Sequence, residues 1–462
     1  MKKILLIAII ASIGITTKAQ FSHQNISLLG QFNDSSVVPE SVYGIRYQSC
    51  WGWVHPITHH EYGIIGSTAG TYIIDVTNPT SLVQADYIPH RQTDAIWHEY
   101  KSFGNYLYII SDDGGNNSLQ IADLSTLPDS ANVIYDSNSI FTHSHTLFVD
   151  GTKLYVASVT ASNFSSMNVY SLANPALPTL LRRLDDDFPA IGSVHDMYVS
   201  NDTVYANCGY DGLNIFHYNE GLNQFIFLGS LTNFPTSRYN HSSFLANDHR
   251  YLYMADEVPS GMPFSIVDVS DISNPTVLST MNTNPGATPH NPYVQGNILY
   301  MAAYQDGLYA YDISNPATPI LAGYFDTHPQ NTPGTYPSPA YAGCWAAFTE
   351  LPSGIILASD MQLGLFVLDV SQLTLGVKNE DLNPEITIFP SPAVDWINVR
   401  STSTDNDQII SIVDANGKTI YSSLMQGNTN TKISTEHYTA GIYTISVRGE
   451  NTSFSKTVNV VK

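Results

Sequence analysis

The sequence predicts an all-β protein: a seven-bladed β-propeller closed by an N-terminal strand, followed by a small C-terminal β-sandwich. Three observations carry that prediction. A unit of three strand-like stretches recurs seven times, period-2 patterning with Pro or Gly in nearly every turn stands where a helical period would be needed, and the texture changes near Asn383.

The chain opens "MKKILLIAIIASIGITTKAQ", with Lys2 and Lys3 ahead of an apolar run from Ile4 to about Ile15 and small residues up to Ala19. This reads as a secretory signal peptide over 1–19, cleaved near Ala19. The run is shorter than the ~20 apolar residues that span a bilayer, and no longer one follows, so no transmembrane segment is expected in the mature chain. Removing Lys2, Lys3 and Lys18 with the leader leaves 15 basic against 40 acidic residues. Such a surface repels phosphate backbones, which argues against nucleic acid as a partner. Three cysteines cannot make a disulfide framework for an exported chain of this length, so buried apolar area must hold the fold.

The propeller is expected over residues 20–375. Units headed by His98, His145, His195, His241 and His290 each give a short strand, a polar turn, a strand of Leu-Tyr-x-Ala type, a Gly- or Asp-rich turn and a third alternating strand. "HTLFVDGTKLYVASVTASNFSSMNVYSL" (145–172) and "HNPYVQGNILYMAAYQDGLYAYDISNP" (290–316) show the match. Two more units, from Cys50 and Cys344, open on Cys-Trp and keep the later strands. Their spacing of 46 to 54 residues suits propeller blades.

Most units add a fourth strand, as in "PILAGYFDT" (319–327), but the seventh runs directly into "SQLTLGVKNEDLNP". Its missing partner stands at the other end of the chain: "ISLLGQFND" (26–34) matches "PILAGYFDT" yet precedes the first unit. A ring whose last blade takes its outer strand from the N-terminus explains both facts and removes exposed sheet edges. Cys50 and Cys344 then fall on adjacent blades, where an oxidising compartment allows them to pair, while Cys208 is expected as a buried free thiol.

"TYIIDVTNP", "FSIVDVSDISNP", "GLYAYDISNP" and "GLFVLDV" resemble the LVIVD repeat of secreted and surface proteins, in chains of the choice-of-anchor B type. The resemblance implies the propeller and no chemistry.

A polar linker at 376–384 leads into a small β domain at 385–462, with an Asn-Gly hairpin signal at Asn416-Gly417. The Ile-Phe-Pro-Ser-Pro stretch at 388–392, Asp-Ala-Asn-Gly-Lys at 414–418, Ala-Gly-Ile-Tyr at 440–443 and the terminal Lys462 resemble the C-terminal sorting domain of type IX secretion substrates. Pro390-Ser391-Pro392 departs mildly from the family's Pro-Asn-Pro. The resemblance implies the type IX secretion machinery as a partner, passage across the outer membrane, removal of the tail, and attachment to the surface or release.

His98, His145, His195, His241 and His290 occupy one repeat-equivalent position, a register that chance does not produce. At the head of innermost strands they form an arc at one mouth of the channel. Two readings stand. Neutral imidazoles in a concave site suit a transition metal such as zinc, copper, iron or manganese. Alternatively each ring ties its blade to the next, since five donors around a channel are too spread for one ion at roughly 2 Å per bond.

Asp75, Asp123, Asp268, Asp312 and Asp369 end third strands, where aspartate caps its own turn. The acidic runs 112–117 and 185–187 lack a calcium-loop spacing and read as solvated turns. His59-His60 stands as a surface pair or a sixth contributor to the arc. No hydrolase elbow, zinc-protease helix, phosphate loop or dinucleotide fingerprint is present. The expected function is a secreted or cell-surface binding protein for an unknown extracellular ligand, recognised through loops on a rigid scaffold. The competing expectation is a metal-dependent enzyme, hydrolytic or oxidative, centred on the histidine arc.

Overall fold

The computed structural model describes residues 21–113, 119–234, 238–330, 336, 341–373, 386–403, 407–414, 418–449 and 453–462. The expected signal peptide and linker lie outside the described residues, as do 114–117 of the first acidic run and 415–417 of the hairpin. The chain falls into two compact units that divide between Leu375 and Gly376.

The first unit holds seven antiparallel sheets of four strands in sequence order, the sixth with a short fifth strand added. Sheet three is representative: Leu147–Asp150, Lys153–Thr160, Phe164–Ser171 and Thr179–Arg183. The first strands of successive sheets touch one another all round, Cys344–Phe348 against Tyr47–Val54 included, so these strands are innermost. Second and third strands such as Ile298–Ala302 and Leu308–Asp312 are buried along their whole length, because each sheet is covered on both faces by its neighbours. They therefore read as continuous apolar runs, whereas outer strands such as Thr276–Met281 are exposed and mixed.

Ser27–Phe32 pairs antiparallel with Gly364–Asp369 and supplies the outer strand of sheet seven. Just before it, His23–Gln24 pairs with Phe325 and Tyr324 at the outer edge of sheet six, a contact that no repeat pattern predicts. The glycine of "LLGQF", which recurs in the outer strand of sheet four as "FLGSL", has a steric cause: a Cβ on Gly30 would sit 2.3 Å from the Pro79 carbonyl oxygen in sheet one, and one on Gly229 2.0 Å from that of Ile272. The outer strand of one blade presses on the Asn-Pro turn of the next, and only glycine admits the approach. The repeat tyrosine has a matching role. Tyr108 donates to the Pro175 carbonyl (2.9 Å) and Tyr253 to that of Pro316 (3.1 Å), each in the following blade.

All five turn aspartates accept from the backbone N–H two residues on, at 2.8–2.9 Å for Asp75, Asp123, Asp268, Asp312 and Asp369. The acidic run at 185–187 is not merely solvated. Asp185 accepts from Ser165 and Ser166, and Asp187 from Arg182.

The disulfide expectation is corrected. Cys50 and Cys344 do reach neighbouring inner strands, but both are free, buried thiols. Each is directed at the same acceptor, the Ala346 carbonyl, at 3.7 and 3.8 Å. Burial pushes the Cys50 thiol up to about 12 and Cys344 well above the usual range. Neither supplies the thiolate that disulfide exchange requires. Cys208 is buried and free.

The second unit packs a three-stranded sheet (Ile386–Phe389, Trp396–Ser401, Asn430–Ser434) on a four-stranded one (Gln408–Val413, Thr419–Met425, Gly441–Arg448, Ser453–Val460). Ile388, Ile397 and Ile433 of the first meet Ile410, Ile445 and Val458 of the second in one core. Alternating strands with one buried face account for the sandwich.

Candidate functional site

The site is built by three registers of the innermost strands. The first is the histidine position. His145, His195, His241 and His290 follow one another in a row of tilted rings, with centroids 4.1, 4.3 and 4.2 Å apart, and Trp345 of sheet seven continues the row 4.6 Å beyond His290. Four of the five expected residues are thus together. His98 is not with them, because its ring stacks on His90 at 3.7 Å between sheets one and two. His60 pairs with Asp75 in an outer turn and takes no part.

Three of the four imidazoles are oriented by the next blade. His195 Nδ1–H donates to the His241 carbonyl (3.2 Å), His241 to that of His290 (3.1 Å) and His290 to that of Trp345 (2.7 Å). A carbonyl only accepts, so Nδ1 carries the proton and Nε2 the lone pair in all three rings. Burial holds His195 and His241 well below the usual imidazole range and brings His290 down to about 3, so all three are neutral. His145 differs. Burial, the largest single influence, would lower it, but the charge and hydrogen bond of the Asp112 carboxylate at its Nδ1, with the charges of Glu99 and Asp196, together outweigh burial and raise it to about 9.

The second register, one residue on, reinforces the same ties. Thr146 donates to the His195 carbonyl (3.0 Å), Ser242 to that of His290 (2.5 Å) and Asn291 to that of Trp345 (3.2 Å). Asp196 stands here as a carboxyl that burial raises to about 6, and Glu99 accepts from Ser49 (2.7 Å) and Trp345 Nε1 (3.2 Å).

The third register, three residues beyond the histidines, is Trp51, Lys101, Phe148, Tyr198, Phe244, Tyr293 and Phe348, one from each blade. Phe148–Tyr198, Tyr198–Phe244, Phe244–Tyr293 and Phe348–Trp51 are in ring contact, and Lys101 sits over Trp51 at 4.4 Å. All seven line an axial cavity of about 330 Å³, together with the four histidines of the row, Glu99 and Asp196. The aromatic register was open to sequence reasoning, since the alignment that displays the histidines displays it three columns on.

Glu257 was missed as well. It is the last residue but one of the second strand of sheet five (Tyr251–Val258), at the repeat position that Asp112 holds in sheet two and Tyr304 in sheet six. Its Oε1 accepts from the Tyr304 hydroxyl (2.6 Å), and Tyr341 also hydrogen-bonds to it. Ligand atoms of His195, His241 and Glu257 lie within 4.8 Å of one another. A side-chain tie at Nδ1 and a free lone pair at Nε2 are compatible, so the architectural and ligand-binding readings of the arc describe opposite edges of the same rings.

Residues 387–461 match the family described as secretion system C-terminal sorting domain, and residues 249–283 and 292–327 match the LVIVD repeat. The tail marks a protein that is secreted or carried to the outer surface by type IX secretion, and among the described residues no helix is long and apolar enough to cross a membrane. No curated protein matches the chain significantly. Among solved structures, the computationally designed Ika8 protein shares 8% identity at TM-score 0.43, covering 70% of this chain and 82% of its own. The extracellular domain of a putative hybrid two component system from B. thetaiotaomicron shares 13% at TM-score 0.48, covering 80% of this chain and 45% of that one. The sheet order, and not these distant likenesses, carries the fold assignment.

Proposed function

We propose that this chain, which carries LVIVD repeats and a type IX secretion sorting tail, works outside the cell as a binding protein that takes a small ligand into its axial cavity. The observation that supports this is the third register: six aromatic side chains and Lys101 face a cavity of about 330 Å³ that also holds Glu99 and Asp196. That volume lies at the small end of ligand pockets, with apolar walls and few polar groups. Aromatic faces stack on flat apolar surfaces, and the two carboxyl groups accept from hydroxyls or amines. A ligand with one flat apolar face and several donors, such as a pyranose or an aromatic amine, fits this chemistry. The loops are less suited to be the main site, because the repeat aspartates are consumed in capping their own turns.

Calorimetry of the full chain against sugars and aromatic amines tests the reading. Replacing Phe244 or Tyr198 with alanine should weaken binding of any hit at least about tenfold, the loss expected for one stacking anchor. Unchanged affinity in both variants places the site on the loops instead. The competing reading, a metal-dependent enzyme, draws on the convergence of His195, His241 and Glu257.

A further inference from the structure

We propose that His195, His241 and Glu257 bind a single divalent transition-metal ion at the histidine end of the axial cavity. This goes beyond the ligand reading above and stands or falls separately from it.

Orientation is the first argument. The Nδ1 atoms of His195 and His241 are committed to the carbonyls of His241 and His290, so each ring has only Nε2 to offer. Metal-bound histidines are usually held this way, with the second nitrogen donating to a carbonyl that fixes the tautomer and the ring plane. Glu257 is held likewise: Tyr304 donates to Oε1 at 2.6 Å and Tyr341 also hydrogen-bonds to it, and a carboxylate, with about four lone-pair sites, still has capacity for a metal bond.

Convergence is the second. The three donors come from sheets four and five, and their ligand atoms lie within 4.8 Å of one another. Tetrahedral bonds of about 2.0–2.1 Å need donors about 3.3 Å apart. The donors therefore have at most about 1.5 Å to close when an ion binds.

A third observation comes from behind the pair. His290 Nε2 is buried and has no hydrogen-bond partner among the described residues, and its ring lies 4.2 Å from that of His241. A buried nitrogen lone pair left without a donor is costly, and a cation nearby would answer it. His145, whose Nδ1 meets the Asp112 carboxylate, is not among the donors that converge.

Two neutral nitrogens and one carboxylate favour borderline ions such as Zn²⁺, Co²⁺ or Fe²⁺ over Mg²⁺ or Ca²⁺, which prefer all-oxygen shells. Three protein donors leave a position for water or an exogenous ligand, the pattern of a working site and not of a structural brace.

The test uses the full chain stripped with chelator, then titrated with Zn²⁺ by calorimetry and with Co²⁺ by visible absorption. The expected result is one equivalent bound, with the d–d bands of a four- or five-coordinate Co²⁺ ion. Glu257→Gln and His241→Gln should each weaken binding at least about tenfold, while His98→Gln leaves it unchanged. Glu257→Gln can keep the Tyr304 contact and decides the matter if His241→Gln does not fold, as read by near-ultraviolet circular dichroism. Less than about a tenth of an equivalent at saturating metal, or affinity unchanged in both variants, overturns the site. Ligand binding in the aromatic cavity, measured on metal-free protein, is unaffected by either failure.

Discussion

Leu28 and Leu368 stand opposite each other across the outer edge of sheet seven, joining the start of the chain to the end of its repeats. The same segment buries Ile26 in a core shared by sheets six and seven, and Phe21 stacks on Phe325 (5.5 Å) and meets Phe366 edge-on (5.2 Å). Ile26→Ala should cost about 2–4 kcal/mol in denaturant unfolding. Deleting residues 20–34 should lower the melting temperature much further and cause aggregation through the bared edge. An unchanged melting temperature after the deletion would show that sheet seven does not depend on this strand.

The His290 carbonyl accepts from both the His241 ring and the Ser242 hydroxyl. Either donor alone keeps that buried acceptor satisfied. Ser242→Ala should therefore cost at most about 1 kcal/mol, and adding His241→Ala should cost more than the two single losses combined, by about 1–2 kcal/mol. A double-mutant cycle by urea unfolding measures the coupling. Strict additivity would show that the shared carbonyl is not what the two side chains stabilise.

Asp268 supplies the pH dependence that is simplest to isolate. Arg250 donates to it at 2.8 and 3.2 Å, and Ser270 donates twice more, which holds its carboxyl down at about 2 against the ordinary 3.8. A depressed folded value means that ionisation favours the native state. The contribution is present above about pH 4 and is lost as pH falls through about 2. Asp268→Asn should lower the melting temperature at pH 6, and the gap from wild type should close between pH 4 and pH 2. The exposed guanidinium keeps the effect small and sensitive to salt. A gap that persists at pH 2 would assign the loss to packing.

All three cysteines should remain reduced in secreted material. Ellman titration should find no reactive thiol in the native protein and three after denaturation without reductant. One thiol in the denatured chain would mean that Cys50 and Cys344 pair after all.

The blades were legible because each repeat must bury two consecutive strands between neighbours and cap a turn beyond the third, demands that recur in residue type. The same logic exposed the histidine register. It did not expose His98's departure, since His90, on which it stacks, lies in the connection between blades, outside the strands that the repeat aligns. Glu257 was hidden for a related reason. Its column holds carboxylates at Asp112 and Glu257 but a tyrosine at Tyr304, and only the fold reveals that the Glu257 carboxylate, and not that of Asp112, converges with the His195 and His241 imidazoles. Likewise the pairing of His23–Gln24 with sheet six rests on backbone hydrogen bonds, which leave no side-chain signature.

The N-terminal segment also sets the timing of assembly. Residues that are synthesised first are needed by the sheets that are synthesised last: His23–Gln24 and Ser27–Phe32 find their partners only when Ile320–Phe325 and Gly364–Asp369 have been made. Until then the leading strand has nowhere to dock, and a chain halted before Gly364 keeps an open gap in its circle. The end that emerges early acts as a latch that waits, so completion of the barrel-shaped body reports that nearly the whole repeat region has been delivered, just ahead of the tail that addresses it for export.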